Sequence, residues 1–215
     1  MPLELQWWGT GVPYQLGLER QKAERDSVQR GERGGLLAFL EHRSVVTLGR
    51  RSVERTPSQS WLKKTGTDLV QTRRGGLATW HGPGQLTAYL ICDLRPWGIR
   101  RTVAALEQGL IAWLAQAGVA CDRRAGHPGV WHPSGKLAAL GLHVQHGVSM
   151  HGFALNLQVE PDVWEAIVPC GIRDASPQSL HRLISSAPAP HQAWPSVGLA
   201  IQDALLGLDA GVLAR

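Results

Sequence analysis

The chain has 215 residues and a mass of 23.4 kDa, enough for one generous α/β domain or two small ones, and enough to bury a core without staples. Hydrophobic residues make up 43% and charged residues 18%, which excludes a disordered chain, and no run approaches the roughly 20 apolar residues of a membrane helix. The formal charge of +5 fits a nucleic acid or an acidic protein as partner, but the arginines come in doublets (Arg50-Arg51, Arg73-Arg74, Arg100-Arg101, Arg123-Arg124) with little aromatic interleaving of the single-strand-binding kind.

Residues 14–28 have helical spacing and stop at Gly31. The apolar runs 35–40 and 44–48 are strand-sized. Residues 69–73 and 86–92 read as a second strand pair around a loop rich in Gly and Pro. The clearest helix is 102–117, with Val103, Leu106, Leu110, Trp113, Leu114 and Ala117 on one face, Thr102 as its cap and Gly118 just past its end. Short β-like pieces follow at 119–122, 130–132, 137–143 and 148–157, then a helical turn at 161–167. Residues 184–195 hold three prolines and read as a loop, before a last short helix carrying Val197, Ile201 and Leu205. Strands in groups, broken by one long helix, predict an α+β fold: a single domain over 1–215 with a mixed β-sheet and flanking helices.

Cys92, Cys121 and Cys170 form no Cys-x-x-Cys pair, which argues against a disulfide framework and a zinc ribbon. Residues 1–10 lack a basic-then-apolar signal pattern, so a cytoplasmic location is expected. His143, His146 and His151 invite a metal reading. In a strand His143 and His146 point to opposite faces, however, and no Cys or carboxylate has matching spacing, so no metal and no cofactor are expected.

Three segments break the rules of ordinary core or surface sequence. In residues 73–85, Gly75-Gly76 would let backbone approach a ligand and present free N–H groups. In the same segment Gly82-Pro83-Gly84-Gln85 has the composition of a type II turn; an ordinary glycine-rich hairpin uses the same residues. Lys136 opens an apolar, small-residue strand, where its ammonium is either partly desolvated or simply at a wet strand edge. Cys170 stands between Pro169 and Gly171, on a turn where sulfur meets substrate or serves structure, whereas Cys92 and Cys121 lie in apolar runs and read as inert buried thiols.

Taken together the pieces resemble the octanoyltransferases of lipoate biosynthesis. The resemblance rests on Glu41-His42, Thr47-Leu48-Gly49-Arg50, Arg74-Gly75-Gly76, Thr79, His81-Gly82-Pro83-Gly84-Gln85 and Tyr89. It continues with Gly135-Lys136-Leu137-Ala138, Gly141, His151-Gly152, Ala154-Leu155-Asn156, Pro169-Cys170-Gly171 and Ser179-Leu180. These stand in family order over residues 10–182; residues 185–215 match only as a generic tail. Leu77, Trp80, Arg43-Ser44 and Leu90 depart from the family pattern without removing a reacting group.

The resemblance implies the catalytic fold shared by biotin and lipoate protein ligases, and a two-step acyl transfer. An octanoyl group would pass from the phosphopantetheine of acyl carrier protein to a cysteine. It would then pass to a lysine of lipoyl domains, those of 2-oxoacid dehydrogenase complexes and of the glycine cleavage H protein. Neither nucleic acid nor membrane is an implied partner. The nucleophile falls on Cys170 and its partner on Lys136. Substrate-cradling positions fall on Arg74, Gly75, Gly76, Thr79, Trp80, His81 and Gly82, on Ala138, Ala139, Leu140 and Gly141, and on His151, Gly152, Phe153 and Ala154. A ligase of the same fold that adenylates a free acid, or a non-catalytic binding protein, is the alternative.

Overall fold

A computed structural model describes residues 3–49, 57–72, 78–164 and 176–209. Its main sheet has seven strands, β1 (Glu4–Trp7), β2 (Leu36–Leu40), β6 (Gln85–Ile91), β7 (Asp122–Arg124), β8 (His127–His132), β9 (Gly135–Gln145) and β10 (Val148–Asn156), ordered β1-β2-β6-β10-β9-β8-β7. Only the β1–β2 pair is parallel. A small second sheet joins β3 (Val45–Leu48) in parallel to β4 (Asp68–Gln71) and antiparallel to β5 (Thr79–His81). The helices are α1 (Tyr14–Gln29), α2 (Gln59–Thr65), α3 (Ile99–Gln116) and α4 (Pro190–Asp209). The α+β expectation with mixed pairing is met, in two sheets instead of one.

Alternation along the strands sorts the main sheet into two faces. Leu37, Phe39, Leu86, Ala88, Leu90, Phe153 and Leu155 pack against Leu106, Leu110 and Leu114 of α3 and Val197, Ile201 and Leu205 of α4. Each Leu, Ile, Val or Phe among them contributes about 1.5–3 kcal/mol of burial. Leu36, Ala38, Leu40, Tyr89 and Ile91 form a smaller cluster on the opposite face. There Gly17 of α1 lies so near His42 that an added Cβ would stand 3.0 Å from the ring.

Several local expectations are corrected. The runs at 69–73 and 86–92 do not pair: β4 belongs to the small sheet and β6 to the large one, and Arg73 lies outside the described residues. The helix expected to begin at Thr102 begins a turn earlier after Gly98, and Thr102 Oγ1 donates to Gly98 O (2.9 Å) from inside it. The proline-rich stretch 184–195 is not all loop, because α4 starts at Pro190 and runs through Pro195. Proline in the second turn of a helix forfeits one backbone bond. Burial of Ala193, Val197, Ile201, Leu205 and Leu208, with Trp194 stacked 6.2 Å from Trp7, outweighs it. The generic tail is therefore a wall of the core. β1, α2 and β5 are too short, or too rich in polar residues, to show periodicity.

Candidate active site

Lys136 owes its position to a β-bulge. Val130 faces Ala138, but the next residue, Trp131, faces Lys136, so Leu137 has no partner on β8. Leu137 and Ala138 are both fully buried in the main core, and the broken alternation leaves Lys136 on the face of Ala139. Its Nζ sits 4.9 Å from the centre of the Trp131 ring, a geometry that favours a cation. Its stem crosses Gly129, where an added Cβ would stand 2.3 Å from Lys136 Cε.

β10 stops pairing with β9 at Ala138. Beyond it a different segment takes over: Lys136 N–H donates to Ser176 O (3.0 Å), and Gln178 N–H donates to Lys136 O (2.8 Å). Cys170, Arg74, Gly75 and Gly76 lie outside the described residues. In the sequence Cys170 precedes Ser176 by six positions, a tether of at most about 20 Å.

Polar side chains extend this arrangement to His81. Gln178 O can only accept, so Asn156 must turn Nδ2 toward it (3.0 Å) and Oδ1 toward Gln85 Nε2 (2.9 Å). Gln85 Oε1 is then left facing His81 Nδ1 (2.7 Å), which therefore carries the proton. A backbone carbonyl thus sets the tautomer of a histidine two side chains away. The turn expected at residues 82–85 is present: Gln85 N–H donates to Gly82 O (3.1 Å), and Gly84 has φ +81°.

Beside His81 lies His42, 5.9 Å away between ring centres, with Tyr14 near both. His42 is fully buried, donates from Nδ1 to Val12 O (2.9 Å) and accepts at Nε2 from the Tyr89 hydroxyl. Burial pushes its imidazole from 6.5 down to about 4, so it is neutral at physiological pH. The unfolded chain therefore takes up a proton that the folded one refuses. His42 contributes full stability above about pH 6.5 and loses it as the pH falls toward 4, by about 2 kcal/mol between pH 7.5 and 5. Urea unfolding at those two pH values is expected to show this slope, and His42→Gln to lose it; an identical slope in both proteins would refute the burial argument.

On the same face, rows of small residues cross the sheet. Ala139 pairs with Ala154, which pairs with Thr87; Gly141 pairs with Gly152, which pairs with Tyr89. Ala138, Leu140 and Phe153 alternate with these and pack toward the main core. Trp80 is also buried, donating to Ser44 Oγ (2.9 Å) in the core of the small sheet, with Thr79 and Gly82 on either side of it along the chain. The proposed cradle residues thus divide into Ala139, Gly141, Gly152 and Ala154 on the face toward α1, where Gly152 and Ala154 are buried, and Ala138, Leu140, Phe153 and Trp80 packed toward the two cores.

His151 has φ +62°, a conformation that costs a non-glycine residue about 1–3 kcal/mol. Its N–H donates to Oε1 of the fully buried Gln21 (2.8 Å). Sequence reasoning missed Gln21 and Trp131, and gave Gln85 no role beyond its place in the turn motif. A glutamine on the same helical stripe as Tyr14 and Gly17 is the signal that could have found the first. A cavity of about 480 Å³ lies beside His151, lined also by Tyr14, Leu18, Thr72, His143 and Met150. His146 does not share a strand with His143 as expected: it and Gly147 form the two-residue turn between β9 and β10, both with positive φ. Among the described residues no three His, Cys, Asp or Glu side chains gather to hold a metal, and no helix is long and apolar enough to cross a membrane.

Comparison with known proteins matches residues 13–197 to the lipoyl protein ligase A/B catalytic domain. The octanoyltransferase of Clavibacter sepedonicus is 42% identical over 194 residues, covering 86% of this chain and 82% of that protein. Among solved structures, lipoate-protein ligase A bound with ATP superposes with a TM-score of 0.72 at 15% identity, covering 98% of this chain and 86% of the other. The biotin protein ligase of Aquifex aeolicus superposes with a TM-score of 0.61 at 11% identity, covering 96% and 72%. The two ligases share the fold.

Proposed function

Since the chain belongs to the lipoyl protein ligase A/B catalytic-domain family, and within it to the octanoyltransferases, we propose that it moves octanoyl from acyl carrier protein to a lipoyl-domain lysine through a thioester on Cys170. The observation that carries this reading is the placement of Lys136 on the sheet face of Ala139, its backbone bonded to the segment that follows Cys170 in the sequence.

In the first step the Cys170 thiolate attacks the thioester carbonyl, the oxyanion collapses, and the phosphopantetheine thiolate leaves. A free thiol is only a few per cent thiolate at pH 7, and the Lys136 ammonium stabilises the anion. In the second step the acceptor amine attacks the Cys170 thioester, the Cys170 thiolate departs, and neutral Lys136 takes the amine proton. Thioester exchange is nearly balanced and amide formation is downhill, so neither step needs a nucleotide.

The rows Ala139–Ala154 and Gly141–Gly152 give an acyl chain a floor without side chains to displace. Burial at about 0.8 kcal/mol per methylene supplies length preference. No described atom lies within 4 Å of a Cβ added at Gly141. Gly141→Leu is therefore expected to fold, and to cut the preference for octanoyl over butanoyl donors by at least about tenfold. An unchanged ratio would remove Gly141 from the acyl path.

The reading is tested by intact mass measurement after mixing with octanoyl acyl carrier protein. An octanoyl adduct on Cys170 that hydroxylamine releases is the expected result. Transfer without an adduct would overturn the thioester, and use of free octanoate only with ATP would replace the transferase reading with a ligase.

A further inference from the structure

A groove of about 790 Å³ runs between the β7–β8 hairpin and Ser176. Its lining includes Gly135 and Ser176, the backbone neighbour and the backbone partner of Lys136. In the sequence Ser176 follows Cys170 by six positions. Trp131 lines the groove and carries two cations on its ring, Lys136 at 4.9 Å and Arg124 at 5.2 Å from the ring centre. Those two charges are therefore within about 10 Å of each other.

The walls are of mixed chemistry. Ala120, Cys121 and Pro133 are apolar. Ser134 is held in place by Gln178 Nε2 (2.7 Å) and by His132, whose Nδ1 accepts from Ser134 N–H (3.1 Å). Arg124 is the arginine among the described lining residues. Arg123 is turned away onto α3, donating to Ala104 O and Gln108 Oε1. The one carboxylate among the described lining residues, Asp122, accepts from the N–H of Arg123 (2.7 Å).

We propose that this groove receives the phosphopantetheine arm of the acyl donor and delivers its thioester to Lys136, with Arg124 meeting the arm's phosphate-bearing half. This rests on the octanoyl-transfer reading above and deepens it. The arm offers methyl groups to the apolar wall and Trp131, amides to the serine side, and an anion to Arg124. Acyl carrier protein and coenzyme A both present that combination, and a comparison of donors distinguishes the complete arm from its thioester end. Cys121, expected to be an inert buried thiol, is only half-buried and stands in this wall.

The experiment compares three octanoyl donors: acyl carrier protein, coenzyme A and N-acetylcysteamine. The first two carry the complete arm, and the third only its thioester end. Arg124→Ala is expected to lower the preference for full-arm donors over the N-acetylcysteamine thioester by about tenfold, through KM. Cys121→Trp, which fills the groove from the other wall, is expected to do the same, so a folding defect in one variant does not decide the matter. Equal losses on all three donors would overturn the assignment. So would a rise in KM confined to the lipoyl-domain acceptor, which would give the groove to the acceptor. Absence of transfer from every donor by the unaltered chain would overturn the octanoyl-transfer reading itself and this assignment with it.

Discussion

Cys170→Ser is expected to lower octanoyl transfer by about ten-thousand-fold, the scale on which removal of a nucleophile acts. Cys92→Ser is expected to leave transfer intact. Cys92 is buried, its thiol pushed up to about 12 by burial, with Ser149 beside it, and it lies in the core under α3 and α4. Lys136 separates the two steps. Lys136→Ala, which under this proposal removes both the cation that favours the thiolate and the base that takes the acceptor's proton, is expected to abolish both steps. Lys136→Arg keeps a permanent cation and cannot accept a proton. It is expected to form the acyl-enzyme and then stall, so that intact mass shows the octanoyl adduct accumulating while product does not. A Lys136→Arg variant with full turnover would remove Lys136 from proton transfer.

Asn156→Leu carries the second large effect, this time on stability. Asn156 joins Gln85 to the carbonyl of Gln178. Leucine leaves a buried amide donor and a backbone acceptor unpaired, at about 1–3 kcal/mol each. Urea unfolding is therefore expected to show a loss of about 2–5 kcal/mol. Asn156→Asp is expected to do no better, because an ionised carboxylate cannot donate to the Gln178 carbonyl. Transfer should fall in both variants beyond what the folded fraction accounts for, since the same relay fixes His81 and the strand segment bonded to Lys136. A stable Asn156→Leu protein with normal turnover would show that the relay matters to neither.

Much of this was legible in the sequence, and what was not has physical reasons. The stripe Leu106, Leu110 and Leu114 announced α3, and the composition of residues 82–85 announced their turn, because both are local signals. α4 was obscured by Pro195, whose local cost is outweighed by packing with partners as far off in sequence as Trp7. Of the candidate site, Lys136 was visible as a residue but its facing was not. Simple alternation puts Lys136 on the face of Ala138, and only pairing with β8 shows that Leu137 is skipped. Gln85 and Asn156 stood inside recognised motifs, yet their joint work depends on a contact spanning 71 positions. No local pattern encodes such a contact.

The unpaired Leu137 has a consequence for register fidelity. If β9 slid by one residue to heal the ladder, parity along the strand would reverse, and the Lys136 ammonium would turn toward the apolar layer under α3 and α4. An unpaired charge there costs several kcal/mol, while Leu137 would be driven out toward water. The lysine proposed for the chemistry is thus also the residue that penalises the misaligned ladder. One side chain keeps its own strand in frame.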